Sequence, residues 1–224
     1  TVGRRLGQAA VACHARDEGQ GAAALFQQPW NQPAGGRHRR AQVDRDKAVE
    51  YAYRGLEIKK RIDPASESAS RITVGNLFFE LGRMDLAEVE YKKCIALARA
   101  YGNKNDLAAG HLNLGNVYYE VDRNGDARTY LDSAVEEYRT RVKNPGKLLL
   151  ALHSLTMVEL REGKLAHAAD VLQQADPLLG DQDDNGLRVQ NDFLYSKLFL
   201  AKGQLRESMD RARSGLARAF AIKD

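Results

Sequence analysis

Asp181, Asp183 and Asn185 fall at alternate positions, Gly186 follows, and Asp192 closes a twelve-residue stretch. Oxygen ligands at positions one, three and five, a glycine at six and a carboxylate at twelve form the pattern with which a loop wraps a calcium ion. Three features count against that chemistry. Asp192 is shorter than the bidentate Glu the twelfth position takes, Arg188 puts a cation inside the loop, and no partner loop is present. The plainer reading of the same residues is a polar connection between two helices, with Asp and Asn as turn and cap residues. A low-probability calcium site at Asp181, Asp183, Asn185 and Asp192 stands beside it as the alternative.

No other group of residues suggests a reaction. The chain has no phosphate-binding glycine loop, dinucleotide fingerprint, nucleophile elbow or zinc-protease motif. His14, His38, His111, His153 and His167 lack metal-like spacing to one another or to Cys or carboxylates. Cys13 and Cys94 make neither a metal motif nor a disulfide framework. The sequence therefore predicts no catalytic residues, no resident metal and no cofactor. A binding protein is the expectation, and an enzyme is not.

The elements that would present a binding surface are visible as a repeat. Val74–Ala87 is matched by Leu114–Ala127, and a weaker copy runs from Leu155 through Gly163 to Ala168. A period near forty residues is the mark of a solenoid. Each copy reads as two amphipathic helices, the best copy spanning roughly 107–121 and 125–142. Gly82, Gly163 and Gly203 occupy the turn, where a left-handed residue commonly ends a helix. Asp122 replaces that glycine in one copy. After the turn come Ala48, Ala87, Ala127, Ala168 and Ser208; seven residues later come Gly55, Cys94, Ala134, Ala175 and Gly215. Seven residues is two helical turns, so both columns share one face, and small side chains there let another helix approach. Gly75, Gly115, Thr156 and Ser196 make a matching small column on the first helices.

The succession of small residue, aromatic, turn glycine, alanine and alanine resembles the tetratricopeptide repeat. Gly75 with Phe78, Gly115 with Tyr118, and Ala127 with Ala134 carry the likeness. It covers about residues 41–222, with a period longer than the family's usual one, as in kinesin light chains and bacterial signalling regulators. The resemblance implies an all-α, right-handed solenoid of antiparallel helix pairs, about four and a half repeats long. It implies protein or peptide binding in a groove lined by the first helices. It leaves open a peptide-sensing regulatory domain of a larger bacterial signalling protein.

By the family's register the groove positions are Ile72, Thr73, Asn76, Phe79 and Glu80, then Leu112, Asn113, Asn116, Tyr119 and Glu120. His153, Ser154, Met157 and Arg161 follow, then Phe193, Leu194 and Lys197. An asparagine can both donate to and accept from a peptide backbone, which suits Asn76 and Asn116 to sequence-tolerant binding. The family's clamp for a chain-terminal carboxylate would need basic residues at Ile72, Leu150 and Ser154, and none is basic. An internal peptide segment or a partner helix is the better fit.

The formal charge of +4 is confined to the first forty residues, where six Arg face only Asp17 and Glu18. Residues 41–224 hold 28 basic and 28 acidic side chains, so the repeat body has no overall sign to attract nucleic acid or anionic membrane. No apolar run is long enough to span a bilayer. Residues 1–40, broken by Pro29, Pro33, Gly35 and Gly36, are expected to be irregular or a degenerate repeat, with Arg37–Arg40 a linker before the first good helix. Thr1 in first place suggests an excised or processed piece, and the lack of a disulfide framework favours a reducing, cytoplasmic setting. The arginines of 206–218 are expected to give the last helix a solvated outer face. Self-association through an imperfectly capped end stays open.

Overall fold

A computed structural model describes residues 36–180 and 185–221. Helix accounts for nearly all of them, and no strand occurs among the described residues. None of the described helices is long and apolar enough to cross a membrane. The chain divides into two compact units between Tyr101 and Gly102.

Unit 1 contains α1 (Gly36–Ile62), α2 (Glu67–Glu80) and α3 (Met84–Ala100). Helix α1 starts at Gly36, so Arg37–Arg40 lies within a helix and not in a linker as expected. Pro64 ends the run: Asp63 before it is extended (φ −145°, ψ 87°), as a residue preceding proline prefers. Helices α2 and α3 pack antiparallel, and α1 packs on α2. The contact between α2 and α3 depends on an absent side chain. A Cβ on Gly75 would lie 2.6 Å from the Tyr91 ring. Ala87 and Cys94 of α3 are completely buried on the same seam. Arg71 is buried with them and bonded to two carboxylates, its Nη2 donating to Glu67 Oε1 at 2.6 Å and its Nη1 to Glu90 Oε2 at 2.8 Å. Burial would lower its pKa, but the pairs with Glu90 and Glu67 outweigh that and raise it.

Unit 2 contains α4 (Lys104–Glu120), α5 (Asn124–Glu137), α6 (Pro145–Arg161), α7 (Leu165–Ala175), α8 (Asn185–Ala201) and α9 (Leu205–Ala221). A π turn, Tyr138–Val142, prolongs α5, and a 3-10 turn, Asp176–Leu179, prolongs α7. The pairs α4/α5, α6/α7 and α8/α9 repeat the packing of α2 on α3. Each successive pair then docks on the one before, α6 on α5 and α8 on α6 and α7. Asn103 and Asn144 cap α4 and α6, their side chains accepting from Asp106 N–H (3.2 Å) and Lys147 N–H (3.0 Å).

All four intra-pair turns are built alike. Arg83, Arg123, Lys164 and Gln204 donate their N–H groups back to the carbonyls of Phe78, Tyr118, Glu159 and Phe199 at 2.8–2.9 Å. Gly82, Asp122, Gly163 and Gly203 stand between, at φ 72°, 59°, 70° and 75°. This double closure satisfies the last carbonyls of the first helix and requires a left-handed residue. Six members of the small-residue columns, Ala87, Cys94, Ala127, Ala134, Ala168 and Ala175, are 0% exposed, whereas on α1 Ala48 is half-buried and Gly55 is exposed, so the expected column does not extend to that helix.

Candidate binding face

The first helices of unit 2 each turn one side to their own partner helix and keep another open. On α4 the buried side is Leu114, Gly115, Val117 and Tyr118. A Cβ on Gly115 would come within 2.7 Å of Leu131, so α4 and α5 are in closest contact there. That contact turns Asn113, Asn116 and Tyr119 to the open side, half-buried, with Glu120 exposed. On α6 the corresponding residues are Ser154 and Met157, half-buried, and Arg161, exposed; on α8 they are Phe193 and Lys197, both exposed.

Neighbouring first helices are tied across this face. The Arg161 guanidinium of α6 lies 3.4 Å from the centre of the Tyr119 ring of α4. The same side chain donates to the Tyr119 carbonyl and, at 2.8 Å, to Asp122 Oδ1. A cation over an aromatic face is attracted by the ring's quadrupole, and the planar guanidinium keeps hydrogen bonds in its own plane at the same time. Lys197 sits 4.9 Å from the Phe193 ring centre on α8. The open side of unit 2 thus offers amide groups, one roofed aromatic ring, one exposed ring and single charges of both signs.

Three residues expected on the open side are not there. His153 is 0% exposed, and Leu112 and Leu194 are buried as well. His153 and Leu112 share one repeat position, and that position faces the next first helix. Over His153 that helix is α8: His153 Nε2 donates to Asn191 Oδ1 at 3.1 Å. Asn191 Nδ2 in turn donates to Asp176 Oδ1 at 3.1 Å, and the Tyr195 hydroxyl donates to Asp176 Oδ2 at 2.6 Å. Burial lowers the His153 pKa, only partly offset by Asn191, Gln190 and the Asp176 charge, which favours the neutral ring. Its Nδ1 has no hydrogen-bond partner. Leu194 turns instead into a cluster with Ala168, Leu172, Tyr195 and Leu198. This polar chain joining α6, α8 and the turn after α7 had no signal in the sequence, because its members lie on three separate elements.

In unit 1, α2 presents Asn76 and Glu80, exposed, and Phe79, half-buried. Asn76 is already engaged, since the Tyr91 hydroxyl donates to its Oδ1 at 2.7 Å. The residue at the Tyr91 position in the next copy is Leu131, which offers no hydroxyl. The two asparagines therefore differ: Asn76 serves its partner helix, and Asn116 has no such bond to make.

The first four residues of the suspected calcium loop lie outside the described residues. Asp181 and Asp183 are among them, and the Asn185 side chain lies outside as well. Asp192 is described, and its carboxylate is occupied by cations: Arg211 Nη1 and Arg218 Nε donate to it at 3.0 Å each, and Ser214 Oγ at 3.1 Å. Two guanidiniums on the same carboxylate oppose a metal ion there. Asp192, Arg211 and Arg218, with Asp176, Leu179, Gly180, Arg188 and Asn191, border a cavity of about 270 Å³. Among the described residues no cluster of three or more His, Cys, Asp or Glu could hold a metal ion.

Helix pairs closed by one recurrent turn and joined through small-residue seams define an all-α repeat protein. Residues 65–136 match the family model of the tetratricopeptide repeat. Solved structures agree on the fold over most of the chain. BtubC from P. vanneervenii superposes with a TM-score of 0.70 at 17% identity, over 83% of this chain and 77% of that one. A kinesin light chain repeat protein from Podosopora anserina gives 0.64 at 16% identity, over 84% and 92%. The Rap conjugation gene regulator of plasmid pLS20, in complex with the Phr* peptide, gives 0.67 at 16% identity. There 84% of this chain covers only 52% of the regulator, so this chain spans about half of it. No curated protein sequence matches. The fold is that of tetratricopeptide-type helical repeat proteins.

Proposed function

We propose that the chain is a binding scaffold for a protein or peptide segment, with the open side of α4, α6 and α8 as the contact surface. The observation that carries this reading is the pairing of Asn116 with Tyr119 on α4. Asn116 has both amide functions available for a backbone, and the adjacent Tyr119 ring is covered on one face by the Arg161 guanidinium. An aromatic ring beside a two-way hydrogen-bonding group suits an extended internal segment, or the polar edge of a helix, better than a small metabolite. Glu120 and Lys197 add charges at the margins, where they steer more than they hold. In unit 1, Asn76, Phe79 and Glu80 on α2 form a face of the same composition. The repeat fold is typically a non-catalytic scaffold, and a fold neighbour solved with a bound peptide supports the ligand class. A regulatory, peptide-sensing role within a larger signalling protein is the narrower form of the same reading, in a cytoplasmic setting.

The test is a pull-down from source-cell lysate. The wild-type chain is compared with an Asn116→Ala/Tyr119→Ala variant of unchanged helicity. A partner retained by the wild type and lost by the variant supports the reading. A partner held equally by both overturns the assignment of this face.

A further inference from the structure

The cavity beside Asp192 carries one sign of charge in excess. Arg211 and Arg218, expected to give α9 a solvated outer face, turn inward to α8 instead. Both are half-buried, and each donates to the Asp192 carboxylate at 3.0 Å. Arg188, half-buried in the first turn of α8, donates from Nη2 to the Gly180 carbonyl. All three line the cavity of about 270 Å³, together with Asp176, Asn191 and Asp192. Three guanidiniums therefore face two carboxylates, an excess of one positive charge.

The fold does not require this excess. Arg71, His111, Leu152 and Asp192 occupy one position of the repeat. At Arg71 the charges balance, Arg71 and Lys93 against Glu67 and Glu90. At His111 one carboxylate, Glu137, lies 3.0 Å from Nδ1, and Leu152 is buried and uncharged. By that pattern one cation opposite Asp192 suffices, and the further guanidiniums are surplus to it. The acceptors on the cavity wall are already engaged. Asp192 accepts from Arg211, Ser214 and Arg218, and Asp176 from Asn191 and Tyr195, while the Asn191 oxygen accepts from His153. The donors are in surplus. A guanidinium carries N–H groups on all of its nitrogens, and the hydrogen bonds among the described residues use one nitrogen of each. Arg211 also lies over the Tyr195 ring, 4.5 Å from its centre, a contact that leaves the N–H groups in the guanidinium plane free to bond.

We propose that this cavity holds a phosphoryl group, with Arg188, Arg211 and Arg218 donating to its oxygens. A wall rich in N–H groups and poor in free acceptors selects an anion. A carboxylate is satisfied by a single guanidinium fork, whereas a phosphoryl group has more oxygens and a larger negative charge, and so suits several forks. The cavity is wider than one phosphoryl group needs, so the group can enter as inorganic phosphate or on an ester. The stretch whose spacing suggested calcium thus supplies Arg188, Asn191 and Asp192 to a site of the opposite sign. The site lies on the side of α9 that faces α8, not on its Leu205, Met209 and Leu216 side. It shares no residue with the proposed peptide face, and each stands without the other.

The test is a titration of the full chain with inorganic phosphate, O-phosphoserine and acetate, near neutral pH and at constant ionic strength, read from backbone amide signals in proton–nitrogen correlation spectra. Inorganic phosphate should give saturable shifts at Gly180, Arg188, Asn191 and Arg211 with a midpoint below about 10 mM, and acetate should bind at least about tenfold more weakly. Arg188→Gln removes a guanidinium that holds no buried carboxylate, so it should weaken phosphate at least about tenfold and leave the rest of the spectrum unchanged. Arg218→Gln, which leaves Asp192 with Arg211 and Ser214, should weaken it as well. Asn116→Ala/Tyr119→Ala should bind phosphate as the wild type does. Tighter binding of O-phosphoserine than of phosphate assigns an esterified source, and the reverse order assigns the free ion; either supports the site. No saturable shift up to about 50 mM of either phosphate, acetate bound as well as phosphate, or an affinity that Arg188→Gln and Arg218→Gln both leave unchanged overturns the proposal.

Discussion

Gly115 has no space for even one carbon. An added Cβ would lie 2.7 Å from Leu131 Cγ and 3.3 Å from the Ala127 carbonyl oxygen. Leucine can shift, but the backbone oxygen of α5 cannot move without parting the two helices. Overpacking of this kind costs roughly 1–3 kcal/mol, against about 1 kcal/mol gained from helix propensity. Gly115→Ala should therefore lower stability by about 1–2 kcal/mol, read as a lower urea midpoint with an unchanged slope. A midpoint equal to or above wild type would show that the seam is looser than described. This glycine was legible in the sequence, because a small residue recurring at Gly75, Gly115, Thr156 and Ser196 has no other physical reading. The burial of His153 was not legible. A groove position and a packed position differ by one residue along a helix, a rotation of about 100°. What decides between them is the next first helix, and here Asn191 of α8 closes over the ring.

Single elements show where a strained residue sits and where charge can enter the core. Lys143 ends the α5 extension at φ 55°, a left-handed conformation that disfavours any residue with a Cβ. Its side chain is exposed. Lys143→Gly should raise stability by about 0.5–1 kcal/mol, visible as an increase in Tm; no change or a decrease would mean the conformation is not strained. Asp122 holds a similar conformation, but it also accepts from Arg161, so relief there would be offset by a lost contact. The α6–α8 junction predicts a pH effect. Burial holds the His153 pKa below its ordinary value of 6.5, so the unfolded chain takes up a proton more readily than the folded one. The stability tied to this ring is fully present above about pH 6.5 and is lost as pH falls below it. Urea midpoints should drop as pH falls below about 6.5, and His153→Gln should flatten that part of the profile. An identical slope in the variant would place the titrating group elsewhere. The turns at Gly82, Gly163 and Gly203 were readable because their chemistry is local. The outer face of α9 was misread because composition hides direction. Arg211 and Arg218 share a face with Gly215 toward Asp192, while Leu205, Met209 and Leu216 lie about a third of a turn away.

At the scale of the whole molecule, the periodic part of the fold was written in the sequence and the ligand was not. Forty-residue spacing specifies helix pairs, because each pair must bury one face against the next. It says nothing of what lies on the remaining face, where residues are free to vary without cost to packing. The central claim is that the open side of α4, α6 and α8 holds a peptide through Asn116 and Tyr119. The most direct measurement is peptide-library selection on the immobilised chain, followed by titration of the tightest peptide against three proteins. These are the wild type, the Asn116→Ala/Tyr119→Ala variant and a Met209→Glu control on α9. Loss of one aromatic contact and one amide pair should weaken binding at least about tenfold in the first variant, equivalent to about 1.4 kcal/mol, and leave the control unchanged. Equal affinity for all three proteins, or a selection that yields no peptide, would contradict the account.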